Sequence, residues 1–251
     1  TTLGRGGSDT TASILADAID AMYIEIFTDV DGLMTADPSI VKKAKVLNEV
    51  SYKEVCELAY QGARVIHPRA AEIARASSIP IKIHSIYSDD SGTVIHNTNM
   101  RDVEVDRPIT GVASRDNIIF VKIANNKDYN SSLKVFKKLA AKNISVDFIN
   151  IRPQAISFIV NIEKKGKLID TLDQESFEYE VSEEFVKISL VGGGMTGRPG
   201  IMAQIVEALT EKNISIFQTT DSHTTISCLI KNEVERRALN TLHEAFSLSD
   251  F

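Results

Sequence analysis

Residues 4–9, GRGGSD, set a cation, a hydroxyl and a carboxylate within one short glycine-rich turn. Gly4, Gly6 and Gly7 let a backbone come close to a ligand. Arg5 can clamp a carboxylate through two parallel N–H donors, Ser8 can assist it, and Asp9 can hold a lysine or Mg²⁺ beside a phosphate. Thr10 and Thr11 follow, and then a helix-forming run whose N-terminus offers unused N–H groups and a positive dipole end to an anion. Together these make half of a phosphoryl-transfer site. The string is neither Gly-x-x-x-x-Gly-Lys-[Ser/Thr] nor Gly-x-Gly-x-x-Gly. Spacing alone therefore leaves a second reading open, an ordinary glycine turn capped by Ser8 or Thr10.

Elements that could position this turn follow in sequence. The pattern predicts a helix over Thr11–Ala21, a β-run over Tyr23–Thr28 and a turn at Asp29–Gly32. A further helix runs from Ser51 to Gln61, where Ser51 and Glu54 form a capping box. His67-Pro68 opens a helix over Arg69–Ser77, with His67 as a helix-start or core residue, and Pro80–Ser85 alternates isoleucine as a strand does. Such alternation predicts an α/β fold with a largely parallel sheet over residues 1–97. The charged, aperiodic stretch 98–108 reads as a linker. Asp29-Val30-Asp31-Gly32 looks like the start of a calcium loop, but Ile40 stands where the bidentate twelfth ligand belongs, leaving a plain turn or a nucleotide contact.

The remainder holds an internal repeat. VFKKLAAKNISV (Val135–Val146) returns as IVEALTEKNISI (Ile205–Ile216), and each copy reads β-α-β-β-α, the ferredoxin-like order. The copies span 116–184 and 185–251. The first has a candidate fourth strand at Phe177–Val181; the second has none, so its sheet edge needs a partner. The β-like stretch 109–115 is the spare strand, which would insert the first module within the second. Gly192–Gly200, GGGMTGRPG, exposes amides suited to a carboxylate, and His223 reads as a loop residue.

With 28 basic against 34 acidic side chains and no basic run, the chain argues against nucleic acid or an anionic membrane as partner. Cys56 and Cys228 lack metal spacing and read as reduced thiols of a cytoplasmic protein. The start at Thr1, directly on a functional-looking turn, suggests a further segment upstream.

TLGRGGSDTTA, FTDVDGLMTADP (Phe27–Pro38), ELAYQGARVIHPRAAEIA (Glu57–Ala74) and the paired repeats occur in the order found in aspartokinases. The chain resembles that family along its whole length: the C-terminal part of an amino-acid-kinase α/β domain, then two nested ferredoxin-like (βαββαβ) ACT modules. QTTDSHTTISCLI (Gln218–Ile230) and ALNTLHEAF (Ala238–Phe246) are most similar to diaminopimelate-sensitive members. The resemblance implies ATP-dependent phosphorylation of the side-chain carboxylate of L-aspartate, with Mg²⁺, under feedback by an end-product amino acid (diaminopimelate, lysine or threonine). It also implies a homodimer formed through the ACT modules.

Carried over by motif, Arg5 binds the aspartate carboxylates with Ser8, Gly6 and Gly7, and Asp9 organises the reacting groups. Thr28, Asp29, Met34 and Arg64 meet the nucleotide. The family pattern has tyrosine at Met34, lysine at Arg64 and arginine at Ser39; its upstream Lys-Phe-Gly-Gly-Thr-Ser segment, with a phosphate-binding lysine, is not in this chain, which should not turn over alone. Asn125, Asn130 and Ser131 in the first-module loop, with Asp147 on the next strand, are the effector candidates. Asp147 can equally be a solvated strand residue. A non-catalytic amino-acid-sensing subunit and a kinase acting on glutamate are the rival readings, and the ACT tail speaks against the second.

Overall fold

The computed structural model describes residues 4, 6–63, 65–88, 90–97, 107–124 and 129–251, with side chains from residue 131 onward in the last stretch. Helix α1 (Gly7–Ala18) begins at Gly7, not at Thr11 as the pattern predicts. Thr10, Thr11 and Ser13 turn their hydroxyls back onto the carbonyls of Gly6, Gly7 and Asp9 at 2.9, 2.7 and 3.1 Å, which keeps them from competing with the helix. Asp9 sits in the first turn, where the dipole favours a carboxylate. The helix stops at Ala18, short of the predicted Ala21. Asp20 turns left-handed (φ 51°) and the Ala21 amide reaches back to the Ala16 carbonyl at 2.9 Å.

Next come β1 (Ile24–Thr28), β2 (Glu49–Ser51), α2 (Tyr52–Tyr60), α3 (Pro68–Ala76), β3 (Ile81–Ser85) and β4 (Thr93–His96). Their sheet runs β1-β3-β4-β2, with β1/β3 and β2/β4 parallel and β3/β4 antiparallel, so two of its three pairings are parallel and one joint makes it mixed. The antiparallel joint follows from the short connection between β3 and β4, too short for a parallel crossover. Ile24, Ile81, Ile83 and Ile95 from the sheet close a core with Val55, Leu58, Ala70 and Ala74 from α2 and α3. Tyr52 lies in it and donates to the Ile79 carbonyl at 2.5 Å; burial pushes its phenol up to about 12. Of the predicted linker 98–108, residues 98–106 lie outside the described residues.

The repeat builds two four-stranded sheets. β6 (Ile118–Ala124), α4 (Tyr129–Ala141), β7 (Asp147–Ile151), β8 (Ala155–Asn161), α5 (Lys165–Gln174) and β9 (Tyr179–Ser182) follow β5 (Gly111–Arg115). β10 (Phe185–Val191), α6 (Ile201–Glu211), β11 (Gln218–Asp221), β12 (Thr225–Lys231) and α7 (Glu235–Ala245) complete the chain. One sheet is ordered β7-β8-β6-β9 and the other β11-β12-β10-β5, with Val191 opposite Gly111 and Lys187 opposite Arg115. Both KNIS strings close a helix in the same way. Asn143 and Asn213 adopt φ of 53° and 54°, and the amides of Ile144 and Ile214 return to the carbonyls of Leu139 and Leu209 at 3.0 and 2.9 Å.

Helices cover one face of each sheet. In the second, Val186, Ile188, Leu190, Cys228 and Ile230 pack on Ile205, Leu209 and Leu242. Its other face is shared. Phe185 and Leu229 meet Ile118, Phe148 and Ile159 of the first module, whereas Val191 and Ala113 join the core under α2. Burial pushes the Cys56 and Cys228 thiols up to about 11 and 12, which keeps both as inert thiols. No helix among the described residues is long and apolar enough to cross a membrane.

Contact between α2 and β5 requires a glycine. Gly62 has φ 126°, and a Cβ there would lie 2.0 Å from the Ser114 carbonyl oxygen. Gly62→Ala therefore adds backbone strain to a clash and should cost roughly 2–5 kcal/mol. A urea midpoint matching the parent chain would contradict this packing.

Candidate active site

Gly6 caps α1 in the left-handed region (φ 72°), and a Cβ there would fall 2.5 Å from the His67 ring. The glycine turn is thus held against the start of α3, and α1 packs along α3. His67 caps α3: its Nδ1 accepts from the Arg69 amide at 3.3 Å, while its own amide donates to Asp9 Oδ2 at 3.2 Å. Ser8 Oγ donates to the other oxygen, Oδ1, at 3.2 Å. A carboxylate, a hydroxyl and the N-terminus of α1 therefore share one place, with Asp9 fixed by a motif far along the chain. Arg5 lies outside the described residues.

Thr28 ends β1 and Asp29 follows it, and Thr28 Oγ1 donates to Asp29 Oδ1 at 3.2 Å. They sit at the carboxyl end of the parallel β1/β3 pair, where open α/β sheets take their ligands. Beyond them a cavity of about 460 Å³ opens, lined by Val30, Met34, Asp37, Ala63 and Val65 on one side. Its other wall comes from the second ACT-like module through Val112, Ser114 and Glu235. Ser114 Oγ donates to Glu235 Oε1 at 2.6 Å across that wall. Thr28 and Asp29 themselves do not line the cavity. Arg64 lies outside the described residues, but its neighbours Ala63 and Val65 both line it. The segment 62–67 thus runs from the cavity to the residue that holds Asp9.

Of the effector candidates, Asn125 and the Asn130 side chain lie outside the described residues. Ser131 is half-buried near the start of α4. Asp147 is engaged within the protein: Oδ2 accepts from Lys187 Nζ at 2.8 Å and Oδ1 from the Phe148 amide at 2.7 Å. Lys187 is only 4% exposed, and Phe148 takes a left-handed φ of 58° that orients this pair. Gln218 adds a second tie, donating to the Phe148 carbonyl at 2.5 Å and accepting from Ser157 at 2.7 Å.

Glu54 has the sequence signature of a local cap only, and the local pattern does not single out Lys187 or His243, yet all three make contacts across the modules. Lys187 alternates within an apolar strand, where a lone lysine facing inward was the available signal. His243 is buried on α7, its Nε2 2.9 Å from Thr35 Oγ1. Burial, aided by the nearby Lys43 charge, holds its pKa below the usual histidine value.

Two segments of the chain match known families, residues 1–85 the amino acid kinase family and residues 180–244 the ACT domain. Aspartokinase 1 of Bacillus subtilis is 46% identical over 253 aligned residues, covering 99% of this chain and 63% of that protein. The crystal structure of Clostridium acetobutylicum aspartate kinase superposes with a TM-score of 0.85 at 28% identity, over 98% of this chain and 59% of that one. E. coli aspartokinase III in complex with aspartate and ADP gives 0.84 at 29% identity, over 98% and 57%. The chain spans less than two thirds of the length of these relatives.

The Asp147 carboxyl feels opposing influences. Burial raises its pKa, but the hydrogen bond and charge of Lys187, the Phe148 amide and the Arg115 charge outweigh it and leave the group below its ordinary range. A depressed folded value means the pair stabilises the native chain fully above the unfolded pKa of about 4 and ceases to do so as pH falls through the folded value. Lys187→Met should flatten that acid dependence in urea titrations taken from pH 6 downward. An unchanged slope would mean the pair contributes nothing.

Proposed function

Matched to aspartokinases along its whole length, with an amino-acid-kinase segment first and an ACT domain after it, this chain is aspartokinase-family sequence; on that premise we propose that it forms the C-terminal part of a cytoplasmic, ACT-regulated aspartate kinase. The reaction joins a side-chain carboxylate oxygen of L-aspartate to the γ-phosphorus of ATP and breaks the bond from that phosphorus to the β,γ-bridging oxygen. ADP leaves, and 4-phospho-L-aspartate forms. The observation that supports this reading is the Asp9–His67 contact, which gathers the GRGGSD turn and the GARVIHP segment at the N-terminus of α1.

Two anionic reactants need positioning and charge stabilisation more than covalent chemistry. The N-terminus of α1 and the Arg5 guanidinium supply N–H donors and positive charge for the aspartate carboxylates. Asp9, held by the His67 amide and Ser8, keeps a fixed negative group beside them and is not the nucleophile. Mg²⁺ commonly takes one or two protein carboxylates plus nucleotide phosphates, so the oxygen donors of Asp9 fit it. When bound with ATP it neutralises phosphate charge. Met34 offers the nucleotide an apolar surface in the cavity, and Arg64, which follows Ala63 on the cavity wall, supplies a cation for its phosphates. The paired ACT modules bind an end-product amino acid, with diaminopimelate first, lysine second and threonine third, and associate into a homodimer.

In a protein carrying the full length of these relatives, Asp9→Asn should lower kcat by about 10²-fold or more. Arg5→Ala should raise the apparent KM for aspartate by at least about tenfold, the scale of a lost charged hydrogen bond, with the KM for ATP little moved. A hydroxylamine trap for the acyl phosphate reads both. A parent-like rate in Asp9→Asn would sink the assignment of that residue, and a lost ATP affinity in Arg5→Ala would sink the aspartate clamp.

A further inference from the structure

Glu54 is 6% exposed, and among the described residues its hydrogen-bond partners include no cation; four neutral donors meet its carboxylate there. They divide cleanly between the two oxygens. Oε2 accepts from the Ser51 amide (3.2 Å) and the Ser51 hydroxyl (2.5 Å), both at the start of its own helix. Oε1 accepts from the Thr110 hydroxyl (2.5 Å) and the Gly193 amide (2.9 Å), which flank β5 and β10 of the second ACT module. One oxygen caps α2, and the other docks it.

The rest of α2 repeats the pattern at helical spacing. Glu57 Oε2 accepts from Thr225 at 3.2 Å and Gln61 Oε1 from Ser189 at 3.0 Å. Glu54, Glu57, Leu58 and Gln61 thus form the stripe that faces the second sheet. Just past the Gln61 cap of α2 come Gly62 and Ala63, which with Leu58 line the 460 Å³ cavity. Whatever moves the docked end of α2 moves that wall.

We propose that Thr110 and the glycine loop at Gly193 form a carboxylate seat on the second ACT module, that Glu54 fills it from the kinase segment, and that this residue positions α2 and the cavity wall according to the state of the module. The seat is the amide-rich loop that by sequence suits a carboxylate ligand; its occupant here is internal. The proposal deepens the kinase reading by giving regulation a route to the nucleotide end. The seat itself depends only on geometry.

Glutamine at position 54 has the right size but must turn an NH₂ group toward one of the two donor pairs, so Glu54→Gln breaks either the cap or the dock. Ser51→Ala touches only the cap, removing the hydroxyl that donates to Oε2 and accepts from the Glu54 amide. Thr110→Val keeps the volume and removes only a docking donor. The test is amide hydrogen exchange on the full chain, without nucleotide, for these three variants and for the Glu54→Gln/Thr110→Val double variant. Thr110→Val should speed exchange at least tenfold in peptides covering 52–62 and 192–196 and leave 155–161 in the first module unchanged. Ser51→Ala should affect 52–62 alone. At 192–196 the double variant should exchange no faster than the faster single variant.

Parent-like exchange at 192–196 in Thr110→Val, an equal increase at 155–161, or additive effects in the double variant would each overturn the proposal and leave Glu54 a simple helix cap. Because no nucleotide enters the measurement, a failure here leaves the kinase reading standing, and a silent kinase assay leaves this result untouched.

Discussion

A four-stranded sheet with two helices on one side leaves its other side to be covered by something else, and the second ACT module meets that demand with two different neighbours. Phe185 and Leu229 are covered by the first module, Val191 and Ala113 by the kinase segment. Apolar burial of this kind is non-directional. What fixes register is the polar fringe: Glu54, Glu57 and Gln61 on one side, and Asp147 and Gln218 against Lys187, Ser157 and Phe148 on the other. The whole described chain hangs on that one shared face.

The candidate active site inherits its rigidity from the same arrangement. Asp9 is held through His67, which starts the helix that follows the 62–67 segment; Gly62, at the head of that segment, is pressed against Ser114 of β5. A carboxylate at the N-terminus of α1 and a cavity wall on α2 are therefore set by the same few residues. Thr35 and His243 add a further tie, joining the strand-like segment around Met34 to α7.

Local chemistry in the sequence is readable wherever it acts locally. The KNIS strings mark two helix ends because asparagine tolerates the left-handed turn that a following isoleucine closes. The Ser51–Glu54 box marks the start of α2 because both partners are three residues apart. β5 lies against β10, the edge for which hydrogen-bonding demand in the second repeat required a strand. The true start of α1 is hidden because glycine, serine and threonine disfavour helices on propensity, while the His67 contact that holds Asp9 in its first turn is tertiary. Likewise a capping glutamate looks the same in sequence whether its second oxygen meets water or Gly193. Lys187, Gln218 and His243 belong to pairs formed across the modules, and no local spacing announces them.

The insertion of one module within the other also has a temporal side. β5 emerges early in synthesis but its ladder partner β10 comes only after the entire first module, since Gly111 must wait for Val191. Pairings between residues so distant in sequence are slow to close, and chains emerge from the ribosome N-terminal end first. The first module can fold as soon as β9 is made, whereas the second cannot gain its edge strand until β10 appears, nor its full core until α7 does. Helix α2 therefore spends most of translation without the surface it docks on. The amino-acid-kinase segment acquires its ACT neighbour last, and a nascent chain halted before α7 would leave Val186, Ile188 and Ile230 of the second sheet without Leu239 and Leu242 over them, a ready apolar target for holdase chaperones.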